Sequence, residues 1–147
     1  EFRRVLFRST VEADKAGNYD AKVTSESTNL AGTTTEHTDT VEAKTTLTGK
    51  RKVESNSETK VDPKGLMNST TDKTAVTETL DKKGNYVKTD KRASLDSAGT
   101  SHDKNTTTKV QVQADGSERT VVKQKEVIDP KGLLNKSTTE SSTETVK

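Results

Sequence analysis

Asp14-Lys15-Ala16-Gly17-Asn18-Tyr19 returns 67 residues later as Asp81-Lys82-Lys83-Gly84-Asn85-Tyr86. Two further anchors share that offset. Val61-Asp62-Pro63-Lys64-Gly65-Leu66-Met67-Asn68 returns as Ile128-Asp129-Pro130-Lys131-Gly132-Leu133-Leu134-Asn135, and Ala31-Gly32-Thr33 returns as Ala98-Gly99-Thr100. Residues 14–80 and 81–147 therefore read as two copies of one unit, and 10–13 as the end of a preceding copy. A fixed period of this size marks a repeat architecture, in which each unit stacks on its neighbours.

Glycine divides each copy further. The eight glycines stand at 17, 32, 49, 65, 84, 99, 116 and 132, in steps of 15, 17, 16, 19, 15, 17 and 16. Five close an Asp-x-x-Gly turn: Asp14 with Gly17, Asp62 with Gly65, Asp81 with Gly84, Asp96 with Gly99 and Asp129 with Gly132. Glycine reaches positive φ without a Cβ clash, and aspartate hydrogen-bonds its own local backbone. Asp115-Gly116 is an adjacent pair, a strong hairpin signal between alternating strands. Thr48-Gly49 and Leu30-Ala31-Gly32 are weaker turn signals.

Between the turns the chain reads as strand. Threonine is its commonest residue, and β-branching suits a pleated surface. Val41, Ala43, Thr45 and Leu47 share one side, against Glu42, Lys44 and Thr46. Thr108, Val110, Val112 and Ala114 stand against Lys109, Gln111 and Gln113, and Thr120, Val122, Gln124, Glu126 and Ile128 form a more mixed side. No apolar spacing of three and four is sustained over three turns, as a helix would need. Pro63 and Pro130 suit turns, with a short helical turn after each Asp-Pro. A period near 16 leaves roughly 10 to 12 residues per strand once the turn is removed. The expectation is all-β, an antiparallel meander of about eight or nine strands built from tandem hairpins.

Composition decides what the strands can build. Of 147 residues, 33% are charged and 3% aromatic, with no Cys and no Trp. Val, Ile, Leu and Phe number 25, under the share of about 20% below which packed domains are uncommon. Two or three aliphatics per strand are thin filling for a sandwich core about 10 Å thick. A largely single-layer twisted sheet survives that test, as does the same meander curled into a barrel or shell. A disordered polyampholyte is the alternative. In composition and strand rhythm over residues 10–147 the chain resembles the free-standing middle sheet of certain bacterial outer-surface lipoproteins, which are also rich in Lys, Glu and Thr. The Asp-x-x-Gly rhythm is faintly similar to the tyrosine-aspartate repeats of polymorphic-toxin shells, although no Tyr-Asp pair precedes the glycine here.

Residues 1–9, Glu-Phe-Arg-Arg-Val-Leu-Phe-Arg-Ser, stand apart in character, and back-translated they resemble a sequencing adapter read in frame. They read as an assembly scar outside the fold. Without them Lys+Arg falls from 25 to 22 and Asp+Glu from 23 to 22, so the formal charge drops from +2 to 0. A neutral mixed surface gives no electrostatic footprint for nucleic acid. On this reading the natural N-terminus, with any targeting signal, is missing. The ending Thr143-Glu144-Thr145-Val146-Lys147 echoes Thr77-Glu78-Thr79-Leu80-Asp81, as an array cut at its C-terminus would.

Few residues invite chemistry. Asn18, Tyr19, Asn85 and Tyr86 recur at one turn position and are the candidate interaction residues, stacking platforms for sugar or stiffeners of the hairpin. Asp14, Asn18 and Asp20 come closest to a calcium loop but lack the closing glutamate, and Val87 replaces Asp20 in the second copy. His37 and His102 are not equivalent by repeat, and zinc needs three or four converging ligands. The hydroxyls show no base with an orienting partner. Lys50-Arg51-Lys52 reads as a solvated basic run. Asn68-Ser69-Thr70, Asn105-Thr106-Thr107 and Asn135-Lys136-Ser137 fit the glycosylation pattern, with little specificity in so threonine-rich a chain. No cofactor is expected. The functional expectation is a non-enzymatic spacer or scaffold, bacterial and at the cell surface, in the periplasm or secreted. Its partners would be neighbouring repeats or cell-surface glycan, with neither nucleic acid nor a membrane span. The alternatives are a glycan- or metal-binding module using the turn row, and a hydrophilic protectant.

Overall fold

The computed structural model describes residues 4–65, 69–132 and 135–147. Nine strands cover most of them: β1 (Arg4–Ala13), β2 (Tyr19–Thr28), β3 (Thr34–Thr45), β4 (Arg51–Asp62), β5 (Thr70–Leu80), β6 (Tyr86–Leu95), β7 (Ser101–Val112), β8 (Glu118–Asp129) and β9 (Ser137–Val146). They form one sheet in chain order, every neighbour antiparallel. Each strand touches only the strands before and after it in sequence. β1 and β9 do not meet, so the sheet is open rather than closed into a barrel. Ala43, at 1% exposure, is the one buried residue among those described.

The hairpins explain why glycine sets the rhythm. Six of them close identically, as at 14–18. The N–H of Asp14 donates to the carbonyl of Asn18, and the N–H of Gly17 donates back to the carbonyl of Asp14. The same pair of bonds recurs at 29–33, 46–50, 81–85, 96–100 and 113–117. This is the three-residue loop in which a type I turn is followed by one left-handed residue. Only glycines have positive φ among the described residues, Gly116 at 84° included. Asp115-Gly116 does lie in a hairpin turn, though a two-residue turn of type I′ would need positive φ at both central positions. A three-residue loop, Ala114-Asp115-Gly116, forms instead. Leu47 and Ala114 consequently leave their expected strand sides and ride in loops, Leu47 fully exposed. Longer connections follow Asp62-Pro63 and Asp129-Pro130. Residues 64–65 and 131–132 are turn, while the rest of the expected helical turn extends into 66–68 and 133–134, outside the described residues.

Pairing assigns every side chain to a face. One, the tyrosine face, carries Tyr19, Val41, Ala43, Val53, Val76, Leu80, Tyr86, Val110 and Val122, gathered toward the end of the sheet that holds turns 14–18, 46–50, 81–85 and 113–117. Ala43 is buried because Tyr19 and Val53 flank it across its two ladders. The opposite face is threonine and charge. Thr77, Thr89 and Thr107 are successive cross-strand neighbours there. Glu58 pairs with Lys73 at 3.1 Å and Lys125 with Glu140 at 2.8 Å. Such exposed pairs add only tenths of a kcal/mol each, up to about 1. Glu42 stands opposite Glu54 and Lys44 opposite Lys52. The ion pairs there run along each strand instead, Lys44 to Glu42 and Lys52 to Glu54.

Tyr19 and Tyr86, Thr34 and Ser101, and Arg51 and Glu118 open corresponding strands, each pair 67 residues apart. Spatially the correspondence is oblique. The transverse row through Tyr19 crosses Ala43, Val53 and Glu78 and reaches β6 at Lys88, two residues beyond Tyr86. The stagger arises because β2 has ten residues and β3 twelve, the counterpart of the glycine steps of 15 and 17. Residues 4–9, which composition sets apart, are not set apart in backbone. They form most of β1, paired throughout with β2. The C-terminal echo does not share a face with its original. Glu78 lies on the tyrosine face opposite Lys88, whereas Glu144 lies on the other face, bound to Arg119 at 2.8 Å.

Candidate interaction surface

Asn18, Tyr19, Asn85 and Tyr86 lie at the same end of the sheet, where β2 and β6 begin. The Asp14 carboxylate accepts from the N–H groups of Ala16 and Asn18, at 2.8 and 2.9 Å, and from Asn18 Nδ2 at 2.7 Å. Asn18 Oδ1 in turn accepts from the Thr45 N–H at 2.7 Å. β2 has no residue left to pair with Thr45, so the asparagine extends the ladder with its side chain. The second unit repeats this arrangement: Asp81 receives Lys83, Asn85 and Asn85 Nδ2, and Asn85 Oδ1 receives the Val112 N–H at 3.0 Å. The amides of Asn18 and Asn85 are thus engaged within the chain.

These donors hold the turn aspartates below the ordinary carboxyl range. For Asp14 and Asp81 the largest cause is the asparagine side chain. For Asp96 it is the Thr100 N–H, and for Asp115 the Ser117 hydroxyl. Asp115 Oδ1 accepts from both the N–H and the Oγ of Ser117. Asp62 and Asp129 end β4 and β8 rather than capping a three-residue loop. Gly65 and Gly132 adopt φ of 73° with open space around them. Carboxylates committed to N–H donors are poorly placed to bind calcium. Among the described residues no group of three or more His, Asp or Glu side chains converges.

Tyr19 and Tyr86 are half-buried on their shared face, Tyr19 across from Ala13 and Ala43, Tyr86 across from Leu80 and Val110. Burial, and then the Glu78 carboxylate, push the Tyr86 phenol above its ordinary value. Glu78 also binds Lys88 at 3.0 Å and raises its pKa.

One polar network escaped sequence reasoning. His37 Nε2 lies 2.8 Å from Asp39 Oδ2, and His37 Nδ1 lies 2.8 Å from Thr59 Oγ1. Ser57, then His37, lower the Asp39 pKa. A base with an orienting carboxylate and a hydroxyl does therefore exist. It sits on an open strand surface whose N–H groups belong to the ladder, with His37 at 36% and Asp39 at 43% side-chain exposure. Only the β3–β4 register brings Thr59 to His37, and local sequence carries no sign of it. His37 and His102 prove to lie on one transverse row, through Thr59, Asp72 and Ser94. Four strand spacings of about 4.8 Å keep them apart.

On the opposite face a shallow groove of ≈ 580 Å³ crosses β3–β8, floored by Ala75 and Ala93 between Lys73, Lys91 and Lys125. Asn105 lies in it, and Asn135 is exposed before β9; Asn68 is outside the described residues. Lys50 is exposed in its turn, and Arg51 and Lys52 are exposed at the start of β4. No helix among the described residues is long and apolar enough to cross a membrane. No protein family, curated protein or solved structure matches the chain.

Proposed function

We propose that the protein is a non-enzymatic spacer or scaffold: a tandem array of hairpin units that sets a distance and presents a hydrophilic surface, in a bacterial cell-surface, periplasmic or secreted setting. The observation that carries this reading is the contact pattern. Each strand touches only its sequence neighbours, so adding strands adds length and leaves existing contacts unchanged, as in other quasi-one-dimensional repeat proteins. Nine strands at about 4.8 Å spacing span roughly 38 Å. The mechanism is mechanical: the ladder resists extension, and threonine and paired charges keep both faces wetted.

The test is to insert one further copy of residues 81–147 in frame and measure the maximum dimension by small-angle X-ray scattering. Four added strands should lengthen the particle by about 19 Å, with the thickness of a single sheet retained. An unchanged length with a thicker cross-section would mean that the units fold back on one another, and the spacer reading would fail.

A further inference from the structure

We propose that the threonine-and-charge face of the second unit carries a binding site for an acidic polysaccharide, centred on Thr107. The proposal goes beyond the spacer reading and does not rest on it.

The near-neutral total charge conceals a sharp division on this face. Four lysines surround Thr107: Lys123 across the β7–β8 ladder, Lys109 two residues on, and Lys91 and Lys125 on either side of Asn105, two residues before. Val87, Thr89 and Val121 fill the remaining places of this three-by-three block, so it holds no carboxylate. Thr40 is the counterpart of Thr107 in the first unit. Its block, in the same register, carries Asp20, Glu42, Glu54 and Glu58 against Lys22 alone. One backbone frame thus presents opposite charge in the two units.

The two blocks also differ in what already neutralises them. In the acidic one Glu42 is bound to Lys44, Glu54 to Lys52 at 2.9 Å, and Glu58 to Lys73 at 3.1 Å. In the basic one Lys125 alone is paired. Lys91, Lys109 and Lys123 are exposed, and among the described residues no carboxylate oxygen comes within 4.0 Å of them. Three carboxylates border that block. Glu140 and Glu144 are bound to Lys125 and Arg119, both at 2.8 Å, which leaves Asp103. The basic block therefore has charge to offer an outside anion, whereas the acidic block is largely satisfied within its own chain.

Shape and chemistry narrow the ligand. A hollow of ≈ 420 Å³ lies over the block, lined by Asn105, Thr107, Lys123 and Lys125. It shares Asn105 and Lys125 with the ≈ 580 Å³ groove that continues over Ala93 and Ala75, so an extended chain has a path across the strands. At the backbone Lys109 and Lys123 stand about 8 Å apart, with Lys91 about 12–14 Å from each. Charges repeated along a polymer suit that spread better than one small anion. Thr89, Thr107 and Asn105 between the lysines supply hydroxyls and an amide for sugar hydroxyls. Tyr19 and Tyr86 stand on the other face, so nucleobases find no stacking platform here.

The test measures retention of the full chain on immobilised heparin, a sulfated polysaccharide, and polygalacturonate, a carboxylated one. Dextran, polyglutamate and single-stranded oligothymidylate serve as comparisons. The chain should bind at least one acidic polysaccharide and release it by about 1 M salt, where screening acts within about 3 Å. It should pass dextran and bind polyglutamate and the oligonucleotide more weakly. Replacing Lys91, Lys109 and Lys123 together by glutamine should weaken binding about tenfold or more. The same replacement at Lys15, Lys50 and Lys83, exposed in turns, removes equal charge and should change it less than about twofold. All six positions are exposed, and circular dichroism checks that each variant keeps its sheet. Failure to bind either acidic polysaccharide, equal losses in the two triple variants, or equally tight binding of polyglutamate or oligonucleotide would each overturn the proposal. So would a mass above the 16.0 kDa monomer that falls in the first variant, because the block would then be taken by the acidic face of a second copy. The spacer reading, which rests on strand contacts, would survive the first three results.

Discussion

Asn85 performs two tasks with one amide: its Nδ2 ties down the Asp81 carboxylate and its Oδ1 completes the partnerless N–H of Val112. Asn85→Ala removes both bonds at the mouth of a hairpin. With roughly 1 kcal/mol for each net hydrogen bond, a loss of about 1–2 kcal/mol is expected in urea melts. Asn105→Ala, in the middle of β7, should change stability little by comparison. The recurrence of Asn18 and Asn85 in the sequence announced that the position matters. What it does was hidden, because Val112 is 27 residues away from Asn85 and reaches it only through the pairing of β6 with β7. The same reason hid Thr59 from His37, whereas Asp39, two residues along the same strand, was in plain view. Residue spacing along the chain reports turns well and cross-strand neighbours poorly.

At the scale of the hairpin, the glycines separate into two kinds that look identical in sequence. All adopt positive φ, so alanine at any of them carries backbone strain of about 1–2 kcal/mol. Gly17 and Gly116 have open space beyond that, whereas Gly49 lies beneath Lys82. Gly49→Ala should therefore destabilise more than Gly17→Ala, and Lys82→Ala should relieve the excess. A double-mutant cycle on thermal melts measures that coupling, and equal costs at both sites would show that Lys82 simply swings away. Strand existence, number and order were legible from glycine spacing and period-two runs. The loop type was not, because Asp115-Gly116 suits both a two-residue turn and the wider loop that forms. Leu47 and Ala114 continued an alternation on paper, but the turn had already begun.

For the molecule as a whole, stability resides in many small terms spread over two ends and eight ladders, with one buried side chain among the described residues to support them. Four turn aspartates, Asp14, Asp81, Asp96 and Asp115, bind protons less readily folded than unfolded. The unfolded chain therefore takes up more protons as pH falls. Their contribution is complete above the unfolded value of about 3.9 and is lost as pH drops through the lower folded values. The urea midpoint should accordingly hold steady from neutral pH to about 5 and then fall. Replacing all four by asparagine should flatten that acid limb, and an unaltered limb would place the acid sensitivity in Asp39, Glu140 and Glu144, whose carboxyls are also held low. The two-residue stagger between units has a geometric outcome of its own. Moving four strands across, about 19 Å, carries corresponding residues about 7 Å along the strands. Like chemistry thus repeats on a slant of about 20°, and the sheet outline is a parallelogram. A lengthening array would climb like a ramp, so a straight polymer laid across its strands would meet a given side chain once and then drift out of step with the next. A partner reading successive units must run obliquely or wind.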